Sequence, residues 1–333
     1  MKLNKSTSYV LLYILNGCTS AMEISKQMQG IDIRSIQRSL VRLTELEFII
    51  RNGTNNPTYR VNYKKLIEAD IPDKLLEIED RPVSSFNHEL IEWLSSLSNK
   101  EIDRVFGEYA KALMPAKPYT QMSAKELEYL TVELSWKSSS LEGNTYTLLD
   151  TQLLLIEGIK AKNKTEFETQ MIINHKNAIA FIVEHKDLFA DNIEFRTLEE
   201  LHRIIASNLG IDTGVRKKLV RITASNYEPL ANYHQLRENA DNMLAVVNRI
   251  QNPFTKALLA MAFIPYLQVF EDGNKRTGRM LANAILIDSV GRGFSLRKTD
   301  TRRLALAYLS FYEFNSVRAL SKVLHNELVQ RAI

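Results

Sequence analysis

Gln268-Val269-Phe270-Glu271-Asp272-Gly273-Asn274-Lys275-Arg276-Thr277-Gly278-Arg279 is the stretch on which the reading of this 333-residue chain turns. Apolar residues at helical spacing precede it (Phe254, Ala257, Leu258, Met261, Ala262) and follow it (Met280, Leu281, Ala284, Ile285, Leu286). A polar loop therefore sits between two buried helices. The first backbone N–H groups of the second helix lack intrahelical partners and carry partial positive charge. Gly273 lets a ligand come close to the backbone, and Asn274 and Lys275 add donors. Arg276 and Arg279 add fixed charge that grips phosphate oxygens in pairs. Asp272 offers a carboxylate to Mg2+, which typically takes one or two carboxylates beside phosphate oxygens and water. The physical reading is a polyphosphate site with its own metal ligand. The plainer alternative is a capped helix start with a surface charge cluster.

Upstream, Ser138-Ser139-Ser140-Leu141-Glu142-Gly143-Asn144 ends another helical stretch. Between the two patches, residues 212–216, 219–222 and 225–229 form the one β-like run in a helical region.

The 268–279 stretch resembles the signature of the Fic family, His-x-Phe-x-(Asp/Glu)-Gly-Asn-(Gly/Lys)-Arg-x-x-Arg, and departs from it only at the first defined position. The likeness extends over about residues 123–333. It implies a mainly α fold, a helical bundle with a small β-hairpin flap. It also implies transfer of AMP from ATP, with Mg2+ at Asp272, to a hydroxyl of a target protein. Phe270, Gly273, Asn274, Lys275, Arg276 and Arg279 would bind the nucleotide, with Arg276 also catalytic. The Ser138 stretch resembles the inhibitory motif of the same family, (Ser/Thr)-x-x-x-Glu-(Gly/Asn), with Ser138, Glu142 and Gly143 in its defined places. The family implies that Glu142 pairs with Arg279 and so occupies the arginine that would hold the γ-phosphate. Residues 213–229 would be the flap, whose edge receives the target segment by strand addition. His202 stands where the family commonly has a histidine and is read as structural.

Gln268 stands where the family has its catalytic histidine. Histidine suits that place because its pKa lies near working pH. A glutamine amide orients a hydroxyl but takes no proton from it, and loss of a general base typically costs about 10²–10⁴ in rate. None of the six histidines lies within ten residues of Gln268. ATP binding is thus expected to outlast catalysis. Lys275 replaces the glycine of many AMP-transferring members and also occurs in the phosphate-transferring Doc branch, which leaves AMP against phosphate transfer open. Removal of AMP from a target is a further reading, ranked lower because it needs an acid for the leaving hydroxyl.

The first fifth of the chain reads differently. Residues 1–63 carry eight Lys/Arg against four Asp/Glu, a surplus equal to the whole chain's net charge of +4. The spacing predicts a helix around Tyr9, Leu12 and Leu15, and a second from Ser20 to Met28. A third runs from Asp32 to about Glu47, with Ile33, Ile36, Leu40 and Leu43 on its apolar face. Asn52-Gly53-Thr54-Asn55-Asn56-Pro57 is turn chemistry between two short strand-like runs. Helix, helix, turn, helix, hairpin is the order of a winged helix-turn-helix, and the segment resembles bacterial winged-helix regulators. The third helix would then read duplex DNA through Arg34, Gln37, Arg38 and Arg42. Winged helices also serve as docking modules, so that alternative stays open.

The expected organisation is an α+β winged helix at 1–63, a helical connector at 64–122 with a boundary near 115–122, and a Fic-like domain with its inhibitory helix at 123–333. Apolar residues make up 45% and charged residues 25%, which excludes a disordered or fibrous chain. No run of about 18 apolar residues marks a membrane span, and the opening MKLNKSTSYVLLYILNG has the period of a folded helix rather than a leader. A single cysteine, Cys18, fits a reducing cytoplasm. Two functions follow as expectations. One is an ATP-binding, AMPylation-type protein restrained by Glu142 and weakened at Gln268. The other is a DNA-binding regulator whose Fic-like part senses a nucleotide or a partner. The resemblance leaves homodimerisation open.

Overall fold

The computed structural model describes residues 3–28, 30–113 and 121–329. In chain order the first elements are α1 (Lys5–Leu15), α2 (Ala21–Gln27), α3 (Ile33–Glu45), β1 (Ile49–Asn52), β2 (Thr58–Val61), α4 (Tyr63–Leu66), α5 (Asp73–Leu76), β3 (Ser84–Ser85) and α6 (His88–Ser96). Then come α7 (Asn99–Leu113), α8 (Ala124–Ser140), α9 (Leu148–Gln152), α10 (Glu166–Glu184), α11 (Phe195–Ala206), β4 (Tyr227–Glu228), α12 (Tyr233–Arg249), α13 (Pro253–Leu267), α14 (Asn274–Val290), α15 (Thr301–Phe314) and α16 (Arg318–Val329). The fold is mainly helical, as expected. No described helix is long and apolar enough to cross a membrane.

Two compact units result. The first comprises residues 1–93, 221–230 and 302–320, and the second comprises 94–220, 231–301 and 321–333. Contacts thus part near residue 93, whereas the expected boundary near 115–122 falls largely on residues outside the described set.

In the first unit, Asn4 caps α1 by accepting from the Thr7 N–H at 2.9 Å. Ser20 caps α2 through the Glu23 N–H at 3.3 Å. Asp32 occupies the N-cap position of α3 but makes no side-chain cap bond. Ile36, Leu40 and Leu43 recur at helical spacing on α3 and are fully buried. Each contributes on the order of 1.5–3 kcal/mol by leaving water. β1 and β2 pair antiparallel with Ile49 opposite Val61. The turn between them needs left-handed backbone at Gly53 and Asn56, which those residue types tolerate best.

The later pieces of this unit are held by a buried ion pair. Arg81 Nε and Nη2 donate to the two Glu313 carboxylate oxygens at 2.7 and 2.9 Å. Ser225 Oγ and the Asn226 N–H add donors to the same carboxylate. Beside it, β3 pairs parallel with β4, Ser84 opposite Tyr227. Residues 213–229, expected as a hairpin, therefore take another form. The described chain there runs through turns and extended stretches, and its strand Tyr227–Glu228 pairs with β3 rather than with a neighbouring part of the segment. The pull of Glu313 on Ser225 and Asn226 explains where that end of the segment goes.

In the second unit α13 is buried along its length from Phe254 to Leu267. α14 approaches it so closely that a Cβ on Gly278 would meet Pro265 Cδ at 3.1 Å and Ile264 Cβ at 3.4 Å. Glycine there permits the contact despite its lower helix propensity. Capping boxes start α8 (Ser123 with Glu126) and α10 (Thr165 with Glu168). These fixed starts deliver the end of α8 and the flank of α10 to the beginning of α14.

Candidate functional site

The polar stretch expected as one loop divides in two. Gln268 to Gly273 is loop, while Asn274 to Arg279 already forms the first turns of α14. Two left-handed residues shape the loop. Gln268 ends α13 at φ +51° and Gly273 precedes α14 at φ +81°. A Cβ on Gly273 would stand 3.5 Å from both Arg276 Nη2 and His202 Nε2, so the bare backbone keeps this corner open. Asn274 binds the loop to itself, its Oδ1 accepting from the Phe270 N–H at 3.0 Å and its Nδ2 donating to the Phe270 carbonyl at 2.8 Å.

Phe270 is fully buried and stacks on the His202 ring at 3.8 Å between centroids. His202 Nε2 donates to the Asp272 carbonyl at 2.9 Å. Burial lowers the His202 pKa to about 4, against the opposing effect of that hydrogen bond. The ring is therefore neutral and braces the loop, in keeping with its structural reading. The Gln268 amide is also engaged. Its Nε2 donates to the Pro265 carbonyl at 2.7 Å and its Oε1 accepts from Asn274 Nδ2 at 3.2 Å. Arg216 holds the same corner through its Nε, which donates to the Gln268 carbonyl at 2.6 Å, and through its N–H, which donates to the Val269 carbonyl at 2.9 Å.

Arg276 is almost wholly buried, with its side chain 2% exposed. Its Nη2 meets Asp272 Oδ2 at 2.8 Å, but its Nε and Nη1 have no hydrogen-bond partner. Buried guanidinium donors left unpaired cost free energy, so an anion in reach of them would be bound tightly. Asp272 is mostly exposed, and its Oδ1 accepts from the Gly273 N–H at 2.5 Å.

Arg279, one turn further, is 1% exposed and fully tied. Its Nε donates to Ser138 Oγ at 3.0 Å, and its Nη2 donates to the Ser138 carbonyl at 3.1 Å and to Glu142 Oε1 at 2.8 Å. The other carboxylate oxygen of Glu142 meets Lys275 Nζ at 3.2 Å. Burial alone would push the Glu142 carboxyl up. The charges of Arg279 and Lys275, with the Arg279 hydrogen bond, outweigh it and hold the carboxyl at about 2. Gly143, at φ +90°, turns the chain away just after Glu142.

His175 on α10 completes the arrangement, and no sequence signal pointed to it. Its Nδ1 donates to the Met171 carbonyl at 2.8 Å, so Nε2 is left to accept from Ser138 Oγ at 2.9 Å. Burial, aided by the Arg276 and Arg279 charges, lowers its pKa to about 3 and keeps it neutral. Ser138 can thus give its proton to His175 while accepting from Arg279, which fixes both.

The structure brings together Ser138, Glu142, Gly143, Gln268, Phe270, Asp272, Gly273, Asn274, Lys275, Arg276 and Arg279 within the second unit. Arg34, Gln37, Arg38 and Arg42 lie in the first unit on α3. Arg34, Gln37 and Arg38 are exposed, and Arg42 pairs with Glu45 at 3.1 Å.

Comparison with known proteins agrees with this geometry. Residues 192–286 match the Fic/DOC family. The chain is 25% identical over 155 residues to the "Protein adenylyltransferase Fic" of Nematostella vectensis, covering 46% of this chain and 36% of that protein. It is 26% identical over 160 residues to the "Protein adenylyltransferase fic-1" of Caenorhabditis briggsae, covering 45% and 30%. The match thus spans about a third of the curated relatives' length. Among solved structures, Fic-1 from C. elegans aligns with a TM-score of 0.54 at 18% identity, over 93% of this chain and 91% of that one. A Fic domain containing signaling protein from Bacteroides thetaiotaomicron aligns with a TM-score of 0.54 at 19% identity, over 70% and 92%. The chain therefore carries a Fic/DOC family domain at residues 192–286, and the loop Gln268–Gly273 with the start of α14 lies inside it.

Proposed function

We propose that the second unit binds ATP in the manner of a protein adenylyltransferase, that Glu142 restrains it, and that Gln268 leaves transfer weak or absent. The observation that carries this reading is Arg276, a buried cation with two unpartnered N–H donors at the start of α14. Polyphosphate supplies the acceptors those donors lack. Names of relatives at about 25% identity support the AMP-transferring class.

The residues present also fit Mg2+. Asp272 offers one exposed carboxylate, enough for an ion that takes most of its ligands from phosphate and water. When bound, the ion would neutralise phosphate charge. The chain's own residues do the rest. Arg276 and the α14 N-terminus hold phosphate, while Glu142 withholds Arg279 from it. In transfer, a target hydroxyl oxygen would form a bond to the α-phosphorus, the bond to the leaving pyrophosphate would break, and a base would take the hydroxyl proton. Gln268 has no basic atom for that proton, and its amide is closed onto Pro265 and Asn274. Residues 213–220 are the part of the expected flap within this unit, and Leu219, 78% exposed, offers a contact for the target segment.

The test is calorimetric titration of the full chain with Mg-ATP and, separately, adenosine. Wild type should bind Mg-ATP, and Arg276→Met should lose at least tenfold in affinity without altering adenosine binding. Equal Mg-ATP affinity in the two proteins would refute the phosphate assignment.

A second reading is favoured by α3. Ile36, Leu40 and Leu43 face inward while Arg34, Gln37 and Arg38 stand exposed on the opposite side. With the β1–β2 hairpin following, we propose a winged helix at 1–63 that presents this face to duplex DNA. Salt-dependent retention of duplex DNA, lost in an Arg34→Ala and Arg38→Ala double variant, would support it.

A further inference from the structure

α14 begins in an unusual electrostatic position. Its first turns carry Lys275, Arg276 and Arg279, and no acidic residue stands in its first turn. Cations at a helix N-terminus oppose the helix dipole, so this end needs an anion from elsewhere. Glu142 supplies one. Its two oxygens divide between two cations one helical turn apart, Oε1 to Arg279 and Oε2 to Lys275.

The two cations are not equivalent. Arg279 is 1% exposed and fixed by Ser138 Oγ and the Ser138 carbonyl, so it stays in place whatever Glu142 does. Lys275 is 38% exposed, and no hydrogen bond or ion pair other than the one to Glu142 is recorded for it. Its flexible stem and compact ammonium can change partner without disturbing the packed interior. One cation is an anchor and the other is free to turn.

We propose that Lys275 switches partner: it clamps Glu142 against Arg279 in the restrained state, and once Glu142 leaves it contacts the phosphate chain of the nucleotide. Lys275 thereby acts as a positioning residue for Glu142 and a specificity residue for polyphosphate. The same side chain opposes nucleotide binding in one state and favours it in the other. This inference rests on the nucleotide reading above for its second half only, since the clamp exists without ligand.

Two measurements on the full chain decide it. The first is a double-mutant cycle of Lys275→Met and Glu142→Gln in urea without nucleotide. A clamp at this exposure should give a coupling of about two- to fivefold in the unfolding equilibrium constant, and Lys275→Arg should restore it. Zero coupling overturns the clamp. The second is Mg-ATP affinity of wild type, Lys275→Met, Glu142→Gly and the double variant. Lys275→Met should tighten binding about two- to fivefold when Glu142 is present and weaken it by a similar factor when Glu142 is absent. A change of the same sign in both backgrounds overturns the switch. If Glu142→Gly binds while Lys275→Met changes nothing in either background, the switch falls and the nucleotide reading stands. If none of the four binds Mg-ATP, the nucleotide reading and the switch both fall, and the urea cycle still decides the clamp.

Discussion

Replacing Glu142 by glutamine keeps the side-chain shape and removes the charge that Arg279 and Lys275 share. A carboxyl held at about 2 instead of 4.5 contributes about 3 kcal/mol of stability at neutral pH. Because the folded pKa is depressed, this contribution is complete above the unfolded value and is lost as pH falls toward the folded one. About 1.4 kcal/mol of it should be gone by pH 3.5, and nearly all by pH 2. Glutamine has no such titration, so the gap between wild type and Glu142→Gln should close progressively in acid. Trp136, two residues before Ser138 on α8, reports on the second unit, and Trp93→Phe removes the chain's other tryptophan. Urea unfolding followed by Trp136 fluorescence in that background, from pH 7 to pH 3.5, measures the gap directly. Parallel curves, or a gap that widens in acid, would show that Glu142 is not held by the two cations.

Removing one partner of the buried Arg81–Glu313 pair leaves a lone charge among the buried groups of the first unit. Arg81→Met should cost about 3–5 kcal/mol there, read by Trp93 fluorescence, while replacing both partners with apolar residues should recover much of the loss. Gln268→His in a Glu142→Gly background should raise label transfer from α-labelled ATP by about 10²–10⁴ over Glu142→Gly alone, and equal transfer would mean that Gln268 does not limit the chemistry. In gel-shift titrations on random duplex DNA, Arg34→Ala should weaken binding and flatten its salt dependence, since each phosphate contact released adds to the slope. An unchanged slope would leave 1–63 as a docking module.

Much of the site is legible because its parts are local. Phe270, Asp272, Gly273, Asn274 and Arg276 lie within seven residues, between two apolar helices whose period is plain. The elements of 1–63 are legible for the same reason, since Ile36, Leu40 and Leu43 keep one helical face and Asn52–Pro57 is turn chemistry. What escapes the sequence depends on distant pairs. Arg81 and Glu313 are 232 positions apart, and only their meeting draws 221–230 and 302–320 into the first unit and takes Tyr227–Glu228 into a parallel pair with Ser84–Ser85. His175 carries no motif, and its role comes from Ser138 reaching it across two helices. Lys275 reads as one more phosphate donor until Glu142 is seen to divide its oxygens. The closed amide of Gln268 likewise depends on the left-handed turn at the end of α13, which composition does not reveal.

A crystal structure of the Glu142→Gly variant with a non-hydrolysable ATP analogue and Mg2+ tests the central claim most directly. The account predicts phosphate oxygens on the two Arg276 donors that now lack partners, with Arg279 released to the end of the chain and the metal beside Asp272. Nucleotide bound elsewhere, or a corner at Gly273 that stays empty under saturating analogue, would contradict it.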